Sequence, residues 1–346
     1  MPRLPAEWEP QSAVMLTWPH RGTDWAPRLD EVEPLYAGLA ALITRYQRVL
    51  LICRDSSHRA GVNRLLTETG ANPRRILFAL AASNDSWARD HGPIAVFEDG
   101  RPRLLDFRFN GWGGKFPAEL DDLITTQLLG TGLFVGAELT RSQLVLEGGA
   151  IETDGRGTLL ATRRTLVDDN RNPDWTRQGI EAELARHLGI ERFLWLEHGA
   201  LSGDDTDGHI DTLARFCAPD TICYVRCDDE SDPDLAELAS MEQELRSLTR
   251  ADGEPYRLVP LPHPSPVQDA GGRRLPASYA NFLVINGAVL VPVYGDPADT
   301  IAADRLQRLF PTRKILSIDC RPLIRQGGSL HCVTMQLPAA LQLGPE

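Results

Sequence analysis

The 346-residue sequence predicts an α/β fold built by radial repetition, propeller-like, and three observations predict it. Two short apolar runs flank a turn dipeptide four times over, at Asp99-Gly100, Asp154-Gly155, Pro219-Asp220 and Asn286-Gly287, with turn centres 55, 65 and 67 residues apart. Helical patterns follow or lie between these hairpins. The two chain ends supply the parts of one further unit. A hairpin and a helix repeated at this period mean short strands arranged around a central axis.

Taken in order, residues 13–18 read as a strand, 30–46 as a helix and 49–53 as a second strand. Residues 92–98 and 103–109 flank Asp99-Gly100, and 150–153 and 158–162 flank Asp154-Gly155. Both central positions of a type I′ turn need positive φ, which makes Asp-Gly and Asn-Gly strong hairpin signals. Residues 210–216 and 221–225 turn through Pro219-Asp220, and 279–285 and 288–294 through Asn286-Gly287. Helices are expected over 176–188, 233–249 and 300–310. A last strand over 330–337, joined to the start of the chain, would complete a fifth unit. Residues 258–276 read as a long surface loop rather than a tether, so residues 1–346 are expected to form one catalytic domain.

With 42% hydrophobic and 24% charged residues the chain has the composition of a soluble globular protein. Its 36 Lys and Arg against 48 Asp and Glu leave a formal charge of −12, which argues against nucleic acid as a partner and favours a cationic ligand. The most apolar stretch, 282–294, is broken by Asn286-Gly287 and Pro292, too short for a membrane span. The first residues lack the apolar segment of a signal peptide, so a cytoplasmic location is expected. Six cysteines with no C-x-x-C pair make no disulfide framework, and Cys223-x-x-x-Cys227 has no companion at zinc spacing.

The unusual residues lie just ahead of the hairpins: Trp87-Ala-Arg-Asp90-His-Gly-Pro, Leu146-Glu147-Gly-Gly, Gly203-Asp-Asp-Thr-Asp-Gly-His209-Ile-Asp211 and Gly327-Gly-Ser-Leu-His-Cys332. In a pseudosymmetric ring such positions converge on the axis. Singly each has an ordinary reading: a buried Cys, a strand His, a core Trp, a solvated acidic turn. Together, Cys332 and His209 are the minimum for nucleophilic catalysis. Asp90, Asp211, Glu147, Asp205 and, more distantly, Asp207 make a surplus of carboxylates that would repel an anion but accept paired hydrogen bonds from a planar cation. The chemistry implied is thiolate attack on the electrophilic carbon of a guanidinium or amidinium. Arg89, the one cation beside these motifs, should point away from Asp90 if both lie on a strand.

These motifs, with residues 1–18, Phe109-Asn-Gly-Trp-Gly-Gly114, Asn170-Arg-Asn-Pro173, Tyr279-Ala-Asn-Phe and Tyr294-Gly-Asp-Pro297, resemble the agmatine deiminase family of the guanidine-modifying pentein superfamily, close to bacterial-type peptidylarginine deiminases. The resemblance runs nearly end to end. It implies a five-fold pseudosymmetric α/β propeller of ββαβ-type units, and hydrolysis of agmatine to N-carbamoylputrescine and ammonia, a step toward putrescine and polyamines. It implies Cys332 as nucleophile, His209 as general acid/base, Asp90 and Asp211 as clamps on the guanidinium, and Trp87, Glu147 and Asp205 as substrate-binding residues, Asp205 toward the distal amine. No metal or organic cofactor is implied. The expected partner is a small cationic guanidine, with no nucleic acid and no membrane, and a second copy of the chain is the one macromolecular partner left open. Deimination of peptidyl-arginine or free arginine, and amidino transfer on the same fold, stand as alternatives. Gln326-Gly327-Gly328-Ser329 departs from the Gly-Gly-Gly-Asn common in the family, and Asp168-Asp169 is a second departure; both bear on substrate tuning.

Overall fold

The computed structural model describes residues 1–344. Contacts divide the chain into two compact units: one comprises Met1–Glu7, Gly149–Val284 and Ala288–His331, the other Trp8–Gly148, Ile285–Gly287 and the chain from Cys332 onward.

The first unit carries three sheets on one plan. Glu152–Thr153 runs antiparallel to Thr158–Thr162, and the helix Arg177–Leu188 leads to Arg192–Leu196, parallel to Thr158–Thr162. Ala214–Ala218 and Thr221–Arg226 form the next hairpin, followed by the helix Leu235–Ser247 and the parallel strand Arg257–Pro262. Leu283–Ile285 lies beside Ala288–Val293, and the helix Ala298–Leu309 returns the chain to Lys314–Asp319, again parallel. A parallel partner needs a crossover, and an amphipathic helix covers the sheet while making it. Leu238, Met241 and Leu245 are the buried face of one such helix.

Two sheets in the second unit repeat the plan. Ile94–Glu98 and Arg101–Arg108 are antiparallel, and Glu138–Val145 is parallel to the latter. Asp99 (φ 50°) and Gly100 (φ 78°) are both left-handed, as a type I′ turn demands. In the other sheet Thr334–Pro338 runs antiparallel to Gln11–Thr17, which pairs in parallel with Arg48–Cys53. The chain ends therefore do complete a fifth unit. The strand Ile76–Leu80, reached through the helix Ser56–Glu68, extends this sheet beyond the expected elements.

Several expectations are corrected: residues 210–212, with Asp211, form a 3-10 turn ahead of the strand Ala214–Ala218, and of residues 279–285 only Leu283–Ile285 is strand. Residues 258–262 are not loop but part of the strand Arg257–Pro262, whose Pro260 is tolerated because the strand lies at a sheet edge. The C-terminal strand starts at Thr334 rather than residue 330, because the His331 N–H is taken by Asn281, whose Oδ1 and backbone O lie at 2.8 and 3.2 Å. Among the described residues no helix is long and apolar enough to cross a membrane.

One close approach matters for the site. Gly189, left-handed at φ 68°, ends the helix Arg177–Leu188, and a Cβ there would sit 1.8 Å from the carbonyl oxygen of Pro2. The Leu4 N–H bonds the Leu188 carbonyl at 3.0 Å. The N-terminal segment is thereby laid on this unit, and Glu7 is carried into its core.

Candidate active site

In the first unit, residues 203–211 form a loop held by its own side chains. Asp204 accepts from the N–H and hydroxyl of Thr206 and the N–H of Gly208. The side chain of Arg171, fully buried, reaches Asp207 Oδ2 at 2.8 Å, Asp168 Oδ2 at 2.9 Å and the Thr206 carbonyl at 3.1 Å. Asp207 is left-handed (φ 66°), and Gly208 approaches the Gly199 carbonyl so closely that a Cβ would lie 2.6 Å from it. This framework delivers His209 and Asp211, both with no exposed surface. Asp205 lies against Gly327: a Cβ at that glycine would fall 2.5 Å from Asp205 Oδ1.

Behind Asp211 stands a chain of buried charges. His331 Nδ1 is 2.8 Å from Asp211 Oδ2, and its Nε2 is 2.6 Å from Glu7 Oε2. The same Glu7 oxygen accepts from Arg215 Nη2 at 2.7 Å, and Glu7 Oε1 accepts from the Val284 N–H at 2.7 Å. Arg215 also donates to Glu152 Oε2 at 2.6 Å and to the carbonyls of Ala280 and Phe282, with its guanidinium over the Phe282 ring. Burial alone would raise the Asp211 carboxyl; the hydrogen bond and charge of His331, with His209 and Arg215, reverse this and hold it below the ordinary carboxylate range.

In the second unit Trp87 caps a one-turn helix, Ala88–His91, that contains Arg89 and Asp90. The two are therefore not strand neighbours, a correction to the expectation, yet Arg89 does turn away: its Nη1 donates to Gln336 Oε1 at 2.6 Å. The Arg89 N–H bonds the Cys332 carbonyl at 3.1 Å, and a Cβ on Gly148 would lie 2.2 Å from the Arg89 carbonyl oxygen. The segments that carry Cys332 and Glu147 thus pass against the turn that carries Trp87 and Asp90, and all four residues are buried. Trp87 packs on Trp25 at a ring-centroid distance of 5.8 Å, and Trp25 is anchored by a 2.8 Å bond to Ser86 Oγ. Asp85, two residues before Trp87, is pushed up to about 7, chiefly by burial.

Asp90 is aimed by a residue from the Asn110-Gly-Trp-Gly-Gly run. Trp112 Nε1 donates to Asp90 Oδ2 at 3.0 Å. Gly111, Trp112, Gly113 and Gly114 all have positive φ, and a Cβ on Gly111 would meet the Phe116 carbonyl at 2.1 Å. A tryptophan in the left-handed region costs conformational energy, and here it sets the indole N–H on a buried carboxylate.

Residues 3–338 match the family described as Porphyromonas-type peptidyl-arginine deiminase. The chain belongs to this family. Among its relatives, an agmatine deiminase of Stutzerimonas stutzeri is 33% identical over 97% of this chain and 95% of its own. A candidate arginine deiminase of Porphyromonas gingivalis has a crystal structure that superposes with a TM-score of 0.92 at 51% identity, covering 99% of this chain and all of the other. A Cys-to-Ser variant of a C. jejuni agmatine deiminase, with substrate bound, superposes at 0.91 with 37% identity, covering 99% and 98%. The pentein α/β propeller implied by the resemblance is the fold class these family members share.

Seen as a member of this deiminase family, the chain shows which groups the motif reading missed. Glu7, Arg215 and Trp112 were not singled out, since a lone Glu, Arg or Trp carries no spacing signal. The resemblance covered residues 1–18 and 109–114, which contain Glu7 and Trp112, but no role followed from it. Asp207 belongs to the Arg171 ion pair rather than to the open side of the loop. Asp232, Asp234 and His263 bring ligand atoms within 4.8 Å of one another, but Arg274 donates to both oxygens of Asp232 at 2.8 Å and lies 3.6 Å from Asp234. The cluster is an ion-paired anchor, with Asp234 accepting from the Ser202 N–H at the entrance to the loop.

Proposed function

We propose that this chain, acting as one catalytic domain, is an agmatine deiminase, a hydrolase of a non-peptide C–N bond: agmatine and water give N-carbamoylputrescine and ammonia. The observation that carries the reading is the set of buried carboxylates aimed by fixed donors, Asp211 by His331 and Asp90 by Trp112, on a chain whose family members include agmatine deiminases. Carboxylates held this way suit the N–H groups of a guanidinium, which accept no hydrogen bonds themselves.

In the mechanism the Cys332 thiolate attacks the guanidinium carbon, forming a C–S bond and a tetrahedral intermediate. Collapse breaks one C–N bond, and the departing nitrogen takes a proton from His209 to leave as ammonia. The S-alkylthiouronium that remains is planar and cationic, so Asp90 and Asp211 continue to hold it. His209 then removes a proton from water, which attacks the same carbon; the C–S bond breaks, the thiolate is restored, and the proton left on the new hydroxyl passes to solvent as the neutral urea departs. Trp87 packs on the substrate's methylenes, Glu147 orients the cation, and Asp205 accepts from the distal amine. Agmatine lacks the carboxylate of free arginine, and the cation nearest these motifs, Arg89, is committed to Gln336, which favours agmatine over L-arginine.

The test is ammonia release measured in parallel on agmatine, L-arginine and a peptidyl-arginine ester. Agmatine should be preferred by kcat/KM. A preference for either arginine form would replace the substrate assignment. Product captured only with an added amine acceptor would make the chain an amidinotransferase.

A further inference from the structure

The His-Cys dipeptide of the C-terminal motif contains a residue the mechanism does not use. His331 is buried, and both of its ring nitrogens face carboxylate oxygens, Asp211 at 2.8 Å and Glu7 at 2.6 Å. A ring nitrogen facing a carboxylate at such a distance carries the hydrogen, because a lone pair there would confront another lone pair. Glu7 also accepts from Arg215 and from the Val284 N–H, each at 2.7 Å. Each ring nitrogen of His331 thus lies within hydrogen-bond distance of a carboxylate oxygen, one on Asp211 and one on Glu7.

We infer that His331 is a positioning residue: doubly hydrogen-bonded between Glu7 and Asp211, it fixes which oxygen of Asp211 is presented to the substrate guanidinium, and Glu7, fixes His331 in turn. The inference rests on the clamp role given to Asp211 under the proposed function. Glu7 is 324 positions from His331 in sequence, and it reaches this place because the N-terminal segment is seated on the Gly189 turn. The arrangement explains why a glutamate of the N-terminal segment and the histidine before Cys332 share one buried site. Arg215, bonded to Glu7, Glu152 and two carbonyls, locks the far end. A carboxylate with one oxygen tied in this way has lost the rotation that would otherwise compete with a bidentate grip on substrate.

Two substitutions separate the two ends of the imidazole. His331→Asn keeps a donor near the Nδ1 position, facing Asp211, whereas His331→Gln keeps one near the Nε2 position, facing Glu7. His331→Gln should lose roughly ten- to a hundredfold in kcat/KM for agmatine, chiefly through KM, while His331→Asn should lose several-fold less. A purely structural histidine would give equal kinetic losses in both, tracking equal falls in melting temperature, and that result would overturn the inference. Nitrogen NMR of histidine-labelled wild-type enzyme supplies a readout that needs no variant to fold. Two ring nitrogens of the protonated type are expected for His331, and the split pair of a neutral tautomer would equally overturn it. Ammonia release by the wild type is measured first, so a chain inert toward agmatine refutes the functional reading while the ring-nitrogen signals still report on the Glu7–His331–Asp211 link.

Discussion

Replacing Asp90 by asparagine probes the proposed guanidinium clamp at the point where its orientation is set. Trp112 Nε1 donates to Asp90 Oδ2 at 3.0 Å, with Trp112 7% and Asp90 4% exposed. In Asp90→Asn the amide must offer its oxygen to the indole N–H, since two donors cannot face each other. Its NH₂ group is then turned toward the guanidinium, itself all donors. Losing a charge-assisted bond costs about 1.5–3 kcal/mol, and a buried unpaired donor about 1–3 more. The sum predicts a fall of roughly 10² to 10⁴ in kcat/KM. Trp112→Phe alone should cost roughly tenfold or more, because Asp90 loses its fixing bond. In the double variant the amide is free to flip and present its oxygen to the substrate. The two losses should therefore combine to less than their product, a coupling that a double-mutant cycle of agmatine kinetics measures directly. Strict multiplicativity, or an Asp90→Asn enzyme that keeps a third of wild-type kcat/KM, would refute the reasoning. So would a variant whose melting temperature drops while turnover of the folded fraction is normal.

Cys332→Ser should fold and lose activity by roughly 10⁴ or more, as nucleophile deletions do, while Cys53, Cys217, Cys223, Cys227 and Cys320 should each be replaceable; more than a tenth of wild-type turnover in the serine variant places the nucleophile elsewhere. Gly327→Ala puts a Cβ on a left-handed backbone (φ 85°) and 2.5 Å from Asp205 Oδ1, so it should raise KM for agmatine more than it lowers kcat, and an unchanged KM removes Asp205 from the amine site. His91 is buried, among the described residues neither ring nitrogen meets a hydrogen-bond partner on another residue, and burial lowers it from 6.5 to about 3. As the pH falls the unfolded chain takes up the proton first, so stability present above 6.5 drains away toward about pH 3. His91→Leu should gain on the wild type in thermal melts as the pH is lowered through that window; parallel melting curves would show that His91 does not carry the acid sensitivity.

How much of this was legible depends on where each signal lies. The hairpins were readable because Asp99-Gly100 demands a conformation few other pairs adopt, and both residues do have positive φ. At Asp154 the same dipeptide signal has another cause: the Asp154 carboxylate accepts from the Arg156 and Thr158 N–H groups at 2.7 and 3.0 Å, and Gly155 and Gly157 alone are left-handed there. The motif carboxylates, His209 and Cys332 stood out because acids beside glycines are costly to bury without purpose. What stood behind them did not. Glu7, Arg215 and Trp112 act through contacts 208 and 22 residues away in sequence, and no local pattern records such a pairing. The strand at residues 258–262 was hidden by its prolines, which an edge position tolerates.

The pairing of Thr334–Pro338 with Gln11–Thr17 also bears on the order in which the protein is made. During synthesis the N-terminal strand emerges early and finds Arg48–Cys53 on one side, but its other edge has no partner until some 320 residues later, as the Ser12 to Leu337 bond, 325 positions apart, records. Until then an apolar edge is open to other chains. The strand that closes it begins two residues after Cys332. A chain truncated before Thr334 is thus left with the Gln11–Thr17 edge unpaired and should associate with other chains more readily than the intact protein.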